Sequence, residues 1–133
     1  MRSPLVVAVV AFLGVVGTPS LTQGHHFFGA IYLEDATATI EGVVMQVMFR
    51  NPHSLIQLSV PGPDGDVRYK IEWRGAAQLM QQGVTGMSLH VGDRLVITGN
   101  PARNAQDRWL RVATLLRPQD GFAWRRSRDE EAR

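Results

Sequence analysis

The chain contains no cysteine. This excludes a thiol nucleophile, a cysteine-based metal site, a lipid on an N-terminal cysteine and any disulfide cross-link. Lysine is almost as scarce. Lys70 is the only one, so the other basic residues are all arginine. Just four histidines occur, His25, His26, His53 and His90. The formal net charge of +2 is too small for a nucleic-acid footprint, and no nucleic-acid partner is expected. No Ser-His-Asp order, phosphate loop or glycine-rich nucleotide fingerprint is present. The carboxylates of Glu34-Asp35 are neighbours and point to opposite sides of extended chain, so they do not form a catalytic pair. The expectation is a protein that is not an enzyme.

The one long apolar run is N-terminal. Leu5 to Val16 is unbroken, preceded by Arg2 and ended by Pro19, Ser20, Thr22 and Gln23. Twelve apolar residues match the core of a secretion signal and fall short of the roughly 20 that a membrane-spanning helix needs. Residues 1–24 therefore read as a signal peptide. Small residues favour cleavage after Gly24, leaving His25 first, or after Ser20, leaving Leu21 first. The expected location is periplasmic or secreted, with no membrane span once the signal is removed. Removal of 24 residues from 133 leaves enough chain for one domain with one core.

In the remainder, residues 25–36 form an arm with three aromatics. Residues 37–117 alternate in the manner of strands, and residues 118–133 are a polar tail. Thr39 to Arg50 reads as a long strand in which Gly42 suggests a bulge or bend. Asn51-Pro52 marks a turn, because proline fixes φ, lacks an N–H and forces its predecessor to be extended. Ser54 to Val60 is a second strand, followed by the dense turn chemistry of residues 61–66. In the third strand Val67, Tyr69, Ile71 and Trp73 alternate with Arg68, Lys70, Glu72 and Arg74, one face apolar and the other wholly charged. Ion pairing with Lys70 and Arg74 is the expected role of Glu72. Ala76 to Gln82 reads as a short helix closed by Gly83. Arg94 to Thr98 and Trp109 to Leu116 are strands four and five, with a polar loop from Gly99 to Asp107 between them. Met45, Met48, Met80 and Met87 fall in these patterns and are expected to fill the core. Three strands, a short helix and two strands is the element order of the OB-fold, a five-stranded barrel. The expected fold is all-β with one short helix, OB-like, with a small β-sandwich as the alternative.

The histidines are the residues with chemistry to offer. Neutral imidazole is the commonest metal ligand. His25 and His26 lie together in the arm, and His53 follows the Asn51-Pro52 turn. Two or three imidazoles within reach of one another suit copper or zinc. Cleavage before His25 would add its α-amine as a ligand. Cleavage before Gly24 would make His26 the third residue, a position from which the ring, the amine and the intervening amides hold Cu(II) in a square plane. His90 lies before the Gly92-Asp93 turn and is expected at the surface.

These residues resemble an uncharacterised family of small exported bacterial proteins, domain of unknown function family 6152. The resemblance lies in His25-His26, then Gly42, Val44, Val47 and Phe49 along one strand, then Asn51-Pro52-His53, the Gly92-Asp93 turn and Asp120-Gly121. It covers the chain from His25 to about Trp124. Val91 stands where the family often has proline, and Gly24 where it usually has an alanine-type cleavage site. The resemblance implies export and a single β-rich domain, and it implies no activity. Together these readings lead to an exported, non-enzymatic binding domain of unknown ligand or protein partner, with copper or zinc at His25, His26 and His53. The alternative is a barrel that binds a protein or small ligand without metal.

Overall fold

The computed structural model describes residues 29–127. His25, His26 and the apolar N-terminal run lie outside them. Residues 29–31 are helical, and the described elements that follow are β1 (Ala38–Met48), β2 (Leu55–Val60), β3 (Val67–Glu72), the short helix α1 (Ala76–Gln81), β4 (Arg94–Pro101), β5 (Trp109–Arg117) and β6 (Phe122–Arg125). A 3-10 turn at Ala105–Asp107 joins β4 to β5.

Strand β1 lies between β2 and β4, antiparallel to both. β2 pairs with β3, and β4 with β5. A short parallel ladder then closes the sheet, with Ile71 of β3 opposite Leu110 of β5 and Glu72 opposite Arg111. The result is a closed five-stranded barrel of the OB type, and not a sandwich. Closure removes the exposed edges that a small open sheet would present. The core is largely aliphatic, with Ile56, Leu58, Ile71, Leu95, Ile97 and Leu110 at most 1% exposed. Trp73 and Trp124 meet edge to face inside it, with ring centroids 5.6 Å apart.

The alternation read for the third strand holds from Arg68 to Ile71, but β3 ends at Glu72, and Glu72 and Arg74 on the charged face are half-buried. Ile71 and Trp73 are buried, whereas Arg68 and Lys70 face water. The irregularity suggested by Gly42 takes two forms. A β-bulge falls between Val44 and Gln46, and Gly42 itself is a point of close approach. A Cβ at residue 42 would stand 2.6 Å from the Ser59 carbonyl oxygen, so only glycine lets the strands meet there.

Three readings are corrected. The segment from Pro118, read as a polar tail, contains β6, which pairs with β5 through Leu115 opposite Trp124. Its alternation is short and carries arginine on the open side, but Phe122 and Trp124 turn inward. Strand β4 continues to Pro101, into the expected loop, because the arm runs beside it. The Leu33 N–H donates to the Pro101 carbonyl at 2.9 Å, and Tyr32 bridges to Ala102. The methionines do not fill the core. Met45, Met80 and Met87 are exposed, being respectively on the outer face of β1, on the face of α1 opposite the core and in a loop. Leu79 supplies the buried side of α1 instead.

Candidate functional site

The Asn51-Pro52-His53 corner sits on the end of β3 and the start of α1. Asn51-Pro52 is a cis peptide. The Asn51 side-chain oxygen accepts from the Ala77 N–H at 3.1 Å, and the Arg50 carbonyl accepts from the Ala76 N–H at 3.0 Å. The turn thus satisfies donors at the N-terminus of α1, whose own Gly75 cap has no side chain to do so. Gly75 is required by the same approach, since a Cβ there would lie 2.5 Å from the Pro52 carbonyl oxygen. Asn51 and Pro52 are therefore structural supports of the corner.

Ser54 fixes the other side. It is fully buried, and its hydroxyl bonds the backbone of Arg50. Its own N–H donates to the Arg74 carbonyl, and its carbonyl accepts from the Trp73 N–H. His53 is consequently carried on a rigid backbone, with its side chain 52% exposed. Its Nδ1 lies 3.2 Å from Oε1 of Glu72, whose side chain is only 15% exposed. The second oxygen of that carboxylate, Oε2, accepts from the Tyr32 hydroxyl at 2.7 Å.

Tyr32 belongs to the arm and is 2% exposed. Burial pushes its hydroxyl well above the usual phenol range, and the hydrogen bond and charge of Glu72 push the same way, with Arg111 opposing. Tyr32 is thus a donor here, not a base. The arm is clamped beside it by Asn100, whose side-chain amide donates to the carbonyls of Leu33, Glu34 and Ala36. Arg74 and Arg111 complete the surroundings. Burial lowers the Arg74 guanidinium from its ordinary value, and the charge of Arg111 adds to that.

The expected ion pairing of Glu72 with Lys70 and Arg74 is replaced by contacts to Tyr32 and His53. Lys70 instead lies over the Trp109 ring, 5.3 Å from its centroid. Glu72 and Tyr32 were missed because their meeting depends on the arm, which folds back over the barrel. The link to His53 had a signal in the sequence. A hairpin turning at residues 61–66 pairs Leu55 with Glu72, which sets His53 diagonally beside it.

Of the three histidines expected to hold a metal, His53 stands at this site, and His25 and His26 lie outside the described residues. Among the described residues no three His, Cys, Asp or Glu side chains are grouped to hold a metal ion. His90 is exposed, and its backbone N–H closes a turn onto Asp93 Oδ2 at 2.9 Å.

A second cluster gathers the two Asp-containing turns. Arg117 Nη1 donates to Asp93 Oδ2 at 2.6 Å, while its Nε and Nη2 form a bidentate pair with Asp120 at 2.9 and 2.8 Å. These bonds tie the Gly92-Asp93 turn to Asp120-Gly121 and to the end of β5. With both carboxylates committed to one guanidinium, the cluster is a brace.

The model of a family of unknown function, DUF6152, matches residues 13–111, and the chain belongs to that family. The matched span holds His25, His26, Tyr32, His53 and Glu72. No curated protein matches the chain.

Proposed function

We propose that this member of DUF6152 is an exported, non-enzymatic binding domain that holds Cu(II) or Zn(II) through His25, His26 and His53. One observation carries the reading. The single carboxylate of Glu72 receives both His53 and Tyr32 of the arm, so the arm is fastened beside the barrel histidine. His26 precedes Tyr32 by six residues, a span of at most about 20 Å of extended chain. A tether of that length would allow the arm histidines to approach His53. His53 is half exposed, and its Nδ1 is the ring nitrogen that faces Glu72, which would leave Nε2 for a ligand.

The test is to purify the exported protein by its native route, without a tag, and to determine its N-terminus and metal content together. The expected result is a mature chain beginning between Leu21 and His25 that carries about one equivalent of copper or zinc. Acidification should release the metal, because protonated imidazole cannot ligate. A residue or tag added before His25 should weaken uptake if the α-amine is a ligand. A mature chain that retains Leu5 to Val16 would contradict export by cleavage. A correctly processed chain that takes up neither metal would leave the metal-free binding barrel as the reading, with the corner at His53 structural.

A further inference from the structure

We propose that Glu72 is the positioning residue of this site. Its carboxylate holds the His53 imidazole as the Nδ1–H tautomer and so makes Nε2 the atom that ligates a divalent copper or zinc ion. The inference rests on the metal reading above and assigns its chemistry to named atoms.

The charge beside the ring favours one arrangement. Nδ1 is the ring nitrogen nearest Glu72 Oε1, at 3.2 Å, and a carboxylate, which only accepts hydrogen bonds, favours the ring form that presents an N–H to it over the one that presents a lone pair. A neutral imidazole has one N–H. With that hydrogen on Nδ1, the lone pair is on Nε2. The carboxylate is itself held, because Tyr32 donates to Oε2 at 2.7 Å and the Glu72 side chain is largely buried. The histidine backbone is held as well, by the bonds of Ser54 to Arg50, Trp73 and Arg74. A half-exposed ring on a fixed backbone with one nitrogen beside a largely buried carboxylate has the form of a metal-ligating histidine with its orienting partner. Hydrogen bonding of Glu72 to Tyr32 alone would secure the arm without engaging His53. The second oxygen is what extends the role to the imidazole.

The test reads the tautomer directly, in metal-free protein with uniform ¹⁵N labelling. Long-range ¹H–¹⁵N spectra at about pH 8, where ordinary imidazole is neutral, distinguish a protonated Nδ1 from a protonated Nε2. The expected result is His53 with hydrogen on Nδ1 and His90 with an averaged signature. In Glu72→Gln one amide oxygen remains. Tyr32 should keep it, so the amide NH₂ should turn to His53 and favour the Nε2–H form. Affinity for Cu(II) or Zn(II) should fall about 10- to 100-fold in that variant. Far-UV circular dichroism checks that it folds. The wild-type spectrum decides the tautomer even if it does not. Nε2–H at His53 in the wild-type protein overturns the inference, whether or not metal binds. An Nδ1–H tautomer in a protein with a native N-terminus that binds no metal overturns the metal reading, and the ligating role of Nε2 with it. Unchanged affinity in a folded Glu72→Gln variant overturns the positioning role alone.

Discussion

The Tyr32 hydroxyl and the Glu72 carboxylate, 40 residues apart in the chain, meet at 2.7 Å and join the N-terminal arm to the barrel. A hydrogen bond to a charged acceptor contributes about 1.5–3 kcal/mol, more than a neutral one. Tyr32→Phe keeps the buried ring and removes only the donor. It should lower the unfolding free energy by about that amount in chemical denaturation. Tyr69→Phe, at a half-buried ring on β3, is the control and should change it by less than about 0.5 kcal/mol. Equal losses would mean that the contact does not fasten the arm.

The inward and outward faces of β3, continued by Trp73 just beyond its end, give a second prediction. Trp73 is 3% exposed and packs on Trp124, whereas Arg68 faces water. Trp73→Ala should cost about 3–5 kcal/mol of stability through the cavity it leaves. Arg68→Ala should cost under about 0.5 kcal/mol. Small and similar losses from both would show that the tryptophan does not anchor the core.

How much of this was legible follows from the range of each interaction. β3 could be read because alternation with a period of two is written in consecutive residues, and Asp64-Gly65 marks the hairpin before it. The barrel followed from element order. β6 was hidden because it is only four residues long and just two of them, Phe122 and Trp124, turn inward. The burial of Tyr32 was hidden because Glu72 and Ala102, which meet it, come from distant parts of the chain. His53 stood out as a loop histidine after a proline, but the carboxylate behind it could be found only by counting the hairpin register. The methionines misled because a strand or helix pattern says which residues share a face and not which face is covered.

The brace at Arg117 predicts the response to acid. Burial works to raise the Asp93 carboxyl, but the hydrogen bond from the His90 N–H and the hydrogen bond and charge of Arg117 hold it below its ordinary 3.8. Hydrogen bonding to Arg117 depresses Asp120 in the same direction. A depressed carboxyl binds its proton less readily in the folded chain than in the unfolded one. Its contribution is therefore complete above the unfolded-state value near 4 and is lost as pH falls through the lower folded-state value. Asp93→Asn should lower stability at neutral pH and flatten the loss between about pH 5 and 2. Asp120→Asn should have the smaller effect, because the Asp120 side chain is 54% exposed against 21% for Asp93 and is better screened by water. Denaturation measured across that range checks both. An acid slope in Asp93→Asn equal to that of the wild type would contradict the assignment.

The most direct test of the metal reading is isothermal titration of Cu(II) into the mature protein with its native N-terminus, compared with His53→Ala and His90→Ala. The expected result is about one equivalent bound by the wild type, an affinity at least 10-fold weaker in His53→Ala and an unchanged affinity in His90→Ala. Binding that is unaltered by His53→Ala would contradict the account, because the barrel would then supply no ligand and any uptake would be chelation by the chain terminus alone.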